Sequence, residues 1–577
     1  MSYTTIKSEI ATFFRGDIED ATATLDAYSH DASLFTVRPE LVLFPKDAAD
    51  ICALVKWSKE NKTKYPDLSI TPRAAGTCMS GGPLNTSLIL DVTRYMNQVM
   101  SVEAVNPYSI TPLFPGAKAV TISGTATVLP GCYYRDFETA TLAKGLVLPC
   151  YTASKSINAV GGMVGNNSAG ELTLRYGKTE DYVSSLKVVF ADGYEYIVRP
   201  LTRRELYVKM NEVTFEGSVY KTLFSVLKDN HLLIHAAKPN VSKNSAGYNL
   251  WNVYRPKTEG SEDLEDIFDF SQLIIGSQGT LGIVTEIAFR LVKPEPVSKL
   301  FVVFLKDLTP LGEIVSKLAL HSPQSLESYD DKTFGLAIRF FPEMLKQKGI
   351  WDMFKFSVSV LPEFWMTVTG GVPKLVLLVE FSGSSEAEVH AKCLAAQEDL
   401  QPFHLASRIT RSAQEAEKYW TMRRDSFALL RSHAEGRRTA PFIDDIVVNP
   451  EHLPTFLPKL NAILSEYPDL VYTIAGHAGN GNFHIIPLMK INDPFGADTI
   501  LALSEKVYDL VVSFHGSITA EHNDGIIRTP YLSKMFSPEI LEFFALVKTS
   551  YDPQNIFNPG KKVGGTIDAL KKALEVK

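Results

Sequence analysis

The chain has 577 residues, more than one core commonly holds, so two or more packed units are expected. Hydrophobic residues make up 45% and charged residues 21%, which excludes a disordered chain. The formal net charge of −7 argues against broad attraction to nucleic acid or an anionic membrane.

The N-terminal stretch MSYTTIKSEIATFFRGDIED has no long apolar run and carries acids early, so it reads as neither a signal nor a transit peptide. Ala48–Asn61 has apolar residues at helical spacing. LSITPRAAGT follows as a strand running into a glycine turn, and SLILDVTRYMNQV as a further short strand. GTATVLPG reads as a strand, and YYRDFETATLAKGL as a helix ending at Gly145. SSLKVVFADGYEYIV is a hairpin turning at Asp192-Gly193.

The texture changes at Pro294-Glu295-Pro296. Beyond it, KLFVVFLKDLTPLGEIVSKLALHSP and PKLVLLVEFSGSSEAEVHAKCLAAQEDL each read strand then helix, the pattern of an antiparallel sheet covered by helices. The most apolar stretch, Phe354–Phe381, contains Lys, Glu, Pro and a Gly-Gly pair, and reads as core rather than a membrane span. From about Leu501 the chain is helical and ends in DPQNIFNPGKK. The five cysteines, Cys52, Cys78, Cys132, Cys150 and Cys393, form no CxxC pair, so the ligand set of a zinc ribbon or iron–sulfur cluster is missing. Scattered thiols fit a reducing compartment, and a cytoplasmic protein, at most peripheral to a membrane, is expected.

Chemistry concentrates in two kinds of segment. The first is glycine-rich: PRAAGTCMSGG (residues 72–82), GGMVGNNSAG (161–170) with Arg175-Tyr176-Gly177 after it, and IGSQGTLGIVT (275–285). Small residues let a backbone approach a ligand, and consecutive amides bind anions. Any one of these is equally a structural turn; none matches GxGxxG before a helix or GxxxxGK[ST]. Together they suit one long ligand with a pyrophosphate and a flat ring. The second kind is AGHAGNGNFH (475–484) followed by AEHNDG (520–525). An ideal strand would put His477 and His484 on opposite faces, a glycine turn could unite them, and spacing alone leaves metal ligands and hydrogen-bonded core histidines both open.

These segments, with LPCYTASKSINAV, RYGKTEDYV and GSQGTLGIVTE, resemble the vanillyl-alcohol-oxidase and p-cresol-methylhydroxylase superfamily. Within it they are similar to the branch of D-lactate dehydrogenase, D-2-hydroxyglutarate dehydrogenase and the glycolate oxidase flavoprotein subunit. The resemblance runs from about Val42 to Gly560. It implies an α+β fold: a two-part FAD-binding domain of the p-cresol-methylhydroxylase type, an antiparallel-sheet-and-helix substrate (cap) domain, and a C-terminal helical segment returning to the FAD site. The expected divisions are 1–294, 295–505 and 506–577.

The resemblance further implies non-covalent FAD, its pyrophosphate wrapped by Arg73, Ala75, Gly76, Thr77, Cys78, Met79, Ser80 and Gly81. Pro149, Thr152, Ser156, Gly162, Gly165, Asn166, Asn167, Gly279, Gly282 and Ile283 would line the adenosine and ring regions, with Asn558 and Lys561 returning from the C-terminal YDPQNIFNPGK. His477, His484 and Glu521 fall on metal ligands, zinc first with manganese or iron behind it, and His522 falls on the catalytic base. Arg423, in EKYWTMRRD, falls on a clamp for the substrate carboxylate, with Arg424 as the alternative. Departures stand at Gln278, where the family has an acid, at Asn480, Ala520 and Asn523, and at Ile443, where the dicarboxylate-oxidising branch has a lysine.

The activity implied is oxidation of a small D-2-hydroxy acid by hydride transfer to FAD. D-lactate leads, and D-2-hydroxyglutarate or glycolate is the alternative. Electrons would leave to an external quinone, cytochrome or iron–sulfur protein, and a homodimer is expected. A redox-neutral alkyl-transferring flavin synthase, which resembles the same FAD domain, ranks below these. No nucleic acid partner and no transmembrane segment are expected.

Overall fold

In a computed structural model the chain is described for residues 3–257, 265–333, 372–432, 438–468, 470–489 and 496–574, with the side chains of 424–438 also left aside. The sequence reading of 354–371 therefore lies outside the described residues.

The first part holds a small antiparallel sheet of Tyr254–Arg255, Ile267–Asp269 and Pro200–Thr202, and two larger ones. In one, Leu41–Phe44, Leu88–Asp91 and Ile70–Arg73 run parallel, with Asp17–Glu19 added antiparallel at the edge. Leu41–Phe44 and Leu88–Asp91 are buried at every residue, as expected of strands covered on both faces. The helix Ala48–Asn61 starts where Asp47 accepts the amides of Ala49 and Asp50. The second sheet is antiparallel, in the order Val99–Ile110, Val120–Val128, Ile283–Leu291, Val183–Val189, Glu195–Val198. The last two strands pair as a hairpin, with Gly193 at φ +78° in its turn, as the Asp-Gly signal implies.

The second part is one antiparallel sheet. Its order is Ala406–Ile409, Val297–Leu305, Leu375–Gly383, Ser325–Asp330, Val471–His477, Asn482–Met489, Arg438–Thr439. Helices Leu311–Leu320 and Glu386–Asp399 follow their strands as the sequence indicates, and bury Ile314, Leu318, Val389 and Cys393 in one core with Leu377 and Val379.

The expected division at 505/506 falls inside the helix Gly496–Ser513. Ile500, Leu503, Val507 and Val511 of that helix all pack in the cap core, so it stays with the cap. Residues beyond it join the three largest cores. Ile527 and Leu570 enter the cap core, Ile540 and Phe544 the core of the second sheet, and Ile556 and Phe557 that of the first. Among the described residues, no helix is long and apolar enough to cross a membrane.

Candidate active site

One cavity of about 510 Å³ runs between the two parts. At one end its wall is glycine loop: Arg73, Ala75, Gly76, Thr77, Cys78 and Met79, then Thr152, Gly162, Gly165, Asn166, Gly279 and Gly282. At the other end stand Arg423, His477, His484, Glu521 and His522, beside Thr439, Thr473, Ala475 and Ile486. Every catalytic and metal candidate from the sequence thus reaches one wall. Seven cofactor candidates do not line it: Ser80, Gly81, Pro149, Ser156, Asn167, Ile283 and Asn558. Ile283 is core. Asn558 braces the loops instead, accepting from Thr71 Oγ1 at 2.8 Å and donating to the carbonyls of Gly82 and Gln278. Lys561 is buried against the Leu84 carbonyl, and burial pushes its ammonium down to about 8. The side chain of Arg424 lies outside the described residues.

The histidine geometry follows from a hairpin. Ala475 pairs with His484 and His477 with Asn482, so both imidazoles leave the same face one diagonal apart. The turn between them is 3-10, closed by Gly481 at φ +67°, where a Cβ would lie 1.9 Å from the Val448 carbonyl oxygen. This is the glycine reversal that spacing left undecided.

Glu521 Oε1 is the point of convergence, 3.3 Å from His477 Nε2, 3.4 Å from His484 Nε2 and 3.8 Å from His522 Nε2. Each ring turns its other nitrogen to a buried carboxylate. His477 Nδ1 lies 2.5 Å from Glu327 Oε1, His484 Nδ1 3.1 Å from Asp444 Oδ1, and His522 Nδ1 2.7 Å from Asp444 Oδ2. Glu521 Oε2 is held by the buried ammonium of Lys243 at 2.9 Å.

Sequence reasoning missed Glu327, Asp444, Asp445 and Lys243. For two of them a signal was present in the FIDDI segment. Ile443 there is fully buried in the cap core, off the cavity wall, while Asp444 turns to the histidines. Asp445, at φ +65°, accepts the amides of Ala520, Glu521 and His522 and the Thr519 hydroxyl on one oxygen. Asp445, His484, Glu521 and His522 bring ligand atoms within 4.8 Å of one another. Asp445 Oδ2 takes those four donors and its Oδ1 accepts from Asn482 Nδ2 at 3.2 Å, whereas His477 turns Nε2 to Glu521.

The departures from the family pattern are accommodated. Gln278, at φ +52°, accepts the Gly525 amide at 2.8 Å and donates to Asn166 Oδ1 at 3.2 Å, using both halves of an amide where an acid could only accept. Asn523, at φ +69°, adopts the left-handed backbone asparagine tolerates and ties to the carbonyls of Asn166 and Gly276.

Burial opposes charge on His484 and His522, but the neighbouring acids prevail. Asp444 and Glu521 lift His484 to about 10, and Asp445 and Asp444 raise His522. Burial works against Glu327 too, yet Arg423 and His477 bring it down to about 2.

Sequence comparison decides what this architecture is. Residues 39–198 match the FAD binding domain, and residues 295–562 match the C-terminal domain of FAD linked oxidases. The chain belongs to the FAD-linked oxidases. Relatives include D-2-hydroxyglutarate dehydrogenases of Pseudomonas putida and Escherichia coli, both 26% identical over 95% of this chain. The chain spans about half the length of these two curated relatives. Glycolate oxidase subunit GlcD of Bacillus subtilis is 24% identical over 94% of this chain and 93% of its own. In fold, this FAD-linked oxidase is similar to p-cresol methylhydroxylase (TM-score 0.65, 14% identity, covering 98% of this chain and 97% of that one). Alkyldihydroxyacetonephosphate synthase shares the fold as well (TM-score 0.62, 14% identity, 97% and 85%). The fold is thus of the p-cresol methylhydroxylase type, with mixed helices and antiparallel sheets.

Proposed function

We propose that this FAD-linked oxidase dehydrogenates a small D-2-hydroxy acid to the 2-oxo acid with metal assistance, D-lactate ahead of D-2-hydroxyglutarate and glycolate. One observation carries the reading: a single cavity joins the glycine loops to a cluster of three imidazoles and one carboxylate. D-2-hydroxy-acid dehydrogenases among the relatives support it.

The donor set fits a divalent cation. Carboxylates of Glu327, Asp444, Asp445 and Glu521 stand in this cluster, with Arg423, Lys243, Lys178 and the buried Arg528 as its arginine and lysine partners. Three Nε2 atoms and one oxygen converge, and each imidazole has an acid behind it, the arrangement that orients a histidine ligand. His477, His484 and Glu521 would hold the ion, with zinc first for two nitrogens and an oxygen, manganese or iron next. A bound cation there supplies Lewis acidity that lowers the pKa of the 2-hydroxyl, and bound FAD supplies the hydride acceptor.

His522 stands beside that point with Nε2 inward, placed to take the hydroxyl proton, while Asp444 holds its Nδ1 side. Arg423 would clamp the substrate carboxylate. Because Ile443 lies in the core, its replacement of a lysine bears little on the pocket. The wall itself favours a monocarboxylate. Its described cations are Arg73, whose guanidinium is held by the carbonyls of Tyr28 and His30, and Arg423, beside Thr439, Thr473, Ala475 and Ile486. Without an iron–sulfur ligand set in the chain, electrons would pass to a quinone, cytochrome or iron–sulfur protein.

Anaerobic titration of the flavin with D- and L-2-hydroxy acids tests the activity. D-lactate should bleach it with metal present, and no bleaching by any hydroxy acid refutes the reading. His522→Ala should retain FAD and metal and slow flavin reduction by about 10²–10⁴-fold; an unchanged rate removes His522 as the base.

A further inference from the structure

Glu327 is an acid in the middle of a strand, Ser325–Asp330, whose six residues are all buried. Its side chain points to the same face as Tyr329, where the helix Ala413–Ser432 packs with Tyr419, Trp420 and Met422. Ser328 pairs with Gly476 and Tyr329 with Ala475, which puts Glu327 one step further along, beside His477. A carboxylate in such a place loses its hydration and is kept only if both oxygens are used. Both are: Oε1 lies 2.5 Å from His477 Nδ1, and Oε2 lies 2.5 Å from an Arg423 guanidinium nitrogen.

We infer that Glu327 is a positioning residue that sets Arg423 and His477 together. One carboxylate then fixes both the carboxylate-binding and the cation-binding end of the substrate's place. It turns the His477 ring so that Nε2 faces Glu521, and it holds the guanidinium at the cavity wall. Neither partner can be displaced without disturbing the other's anchor. Glutamine at 327 would offer one acceptor and one donor to two donors, so one contact becomes repulsive. The inference rests on the proposed metal-assisted hydroxy-acid site.

Two measurements on the FAD-loaded full chain test it, neither depending on turnover. One is divalent metal retained against increasing EDTA, by elemental analysis. The other is the dissociation constant of oxalate, an unreactive dicarboxylate chelator, read from the flavin spectrum. Glu327→Gln should weaken both by at least about tenfold, the low end for residues that orient a metal ligand, with FAD content and circular dichroism as in wild type. Arg423→Lys, which keeps a cation against Glu327 but loses the guanidinium fork, should weaken oxalate alone. If Glu327→Gln leaves either quantity at the wild-type value, the inference is overturned. Should that variant not accumulate with FAD, Glu327→Asp is read instead. One methylene shorter, it cannot reach both partners, so wild-type values for both quantities overturn the inference. Wild-type protein that retains no metal and binds no oxalate refutes the site reading itself; a wild type that does both while the Glu327 variants are unchanged refutes the coupling alone.

Discussion

At Gly481 a single backbone angle decides whether two histidines cooperate. A side chain there would meet the Val448 carbonyl oxygen at 1.9 Å, and φ +67° costs an ordinary residue about 1–2 kcal/mol. Gly481→Ala should therefore reopen the turn and swing His484 away from Glu521. We expect a folded, FAD-bound protein whose flavin reduction by D-lactate falls at least about 100-fold, since a misplacement of about 1 Å costs that much. Stopped-flow reduction rates at saturating substrate check it, and a rate within threefold of wild type would show that the turn tolerates a Cβ. The candidate site was legible at this scale where residue type carries the chemistry, as at His477, His484, Glu521 and His522. It was not legible where a residue acts by contact. Glu327 and Lys243 lie outside every motif and meet the histidines and Glu521 only through folding. Ile443 and Asp444 show the hazard of ungapped matching, because adjacent residues of one segment face the core and the histidines in turn.

Among the elements, those with local signals were readable. The Asp192-Gly193 hairpin, the helix after Asp47 and the two strand–helix units of the cap all stand where turn chemistry and periodicity put them. The Ser325–Asp330 strand was not readable, because SLESYD looks polar until its partners satisfy it. The helix Arg203–Met210 shows what a local signal is worth. Thr202 and Glu205 form a reciprocal capping box, and Arg199 reaches the same carboxylate at 2.7 Å. The Arg199 contact and the Thr202 amide bring Glu205 down to about 2. A carboxylate depressed in the fold stabilises it fully above its unfolded pKa, near 4.3, and that contribution disappears as pH falls through the folded value. Amide exchange in this helix should therefore speed up between about pH 4.5 and 2, after correction for intrinsic rates. Glu205→Gln should exchange faster than wild type at pH 7 and lose the extra acid dependence. Since the side chain is 41% exposed, the difference at pH 7 should stay below about 1 kcal/mol. Identical acid dependence in both proteins would show that the charge contributes nothing.

For the whole molecule, the cavity lies between two parts whose cores touch where Leu34, Phe35 and Leu84 enter the cap core, and the C-terminal stretch joins them further. Lys562 donates to the carbonyls of Ser245 and Gly247 and pairs with Asp524, Arg528 reaches the Asp444 carbonyl, and Ser80 Oγ donates to the His522 carbonyl. The flavin loops and the histidine segment are thus tied through protein alone. A ligand filling the shared cavity adds contacts to both sides at once, and a ligand bound only by the folded state stabilises it by about 2.7 kcal/mol at a free concentration 100 times its Kd. Two outcomes are separable. If the parts unfold together, added FAD raises the melting of both. If the cap is independent, only the first part responds. The structure favours the first, because cap residues Thr439, Thr473 and Ile486 share the wall with the glycine loops and the C-terminal stretch has a foot in each of the three largest cores. Trp57 and Trp251 report on the FAD-binding part and Trp420 on the cap. Single-tryptophan variants, heated with and without excess FAD, should show the Trp420 transition move upward with FAD by the same interval as that of Trp251. A Trp420 transition indifferent to FAD would mean that the cap folds on its own and that the cavity is assembled by docking.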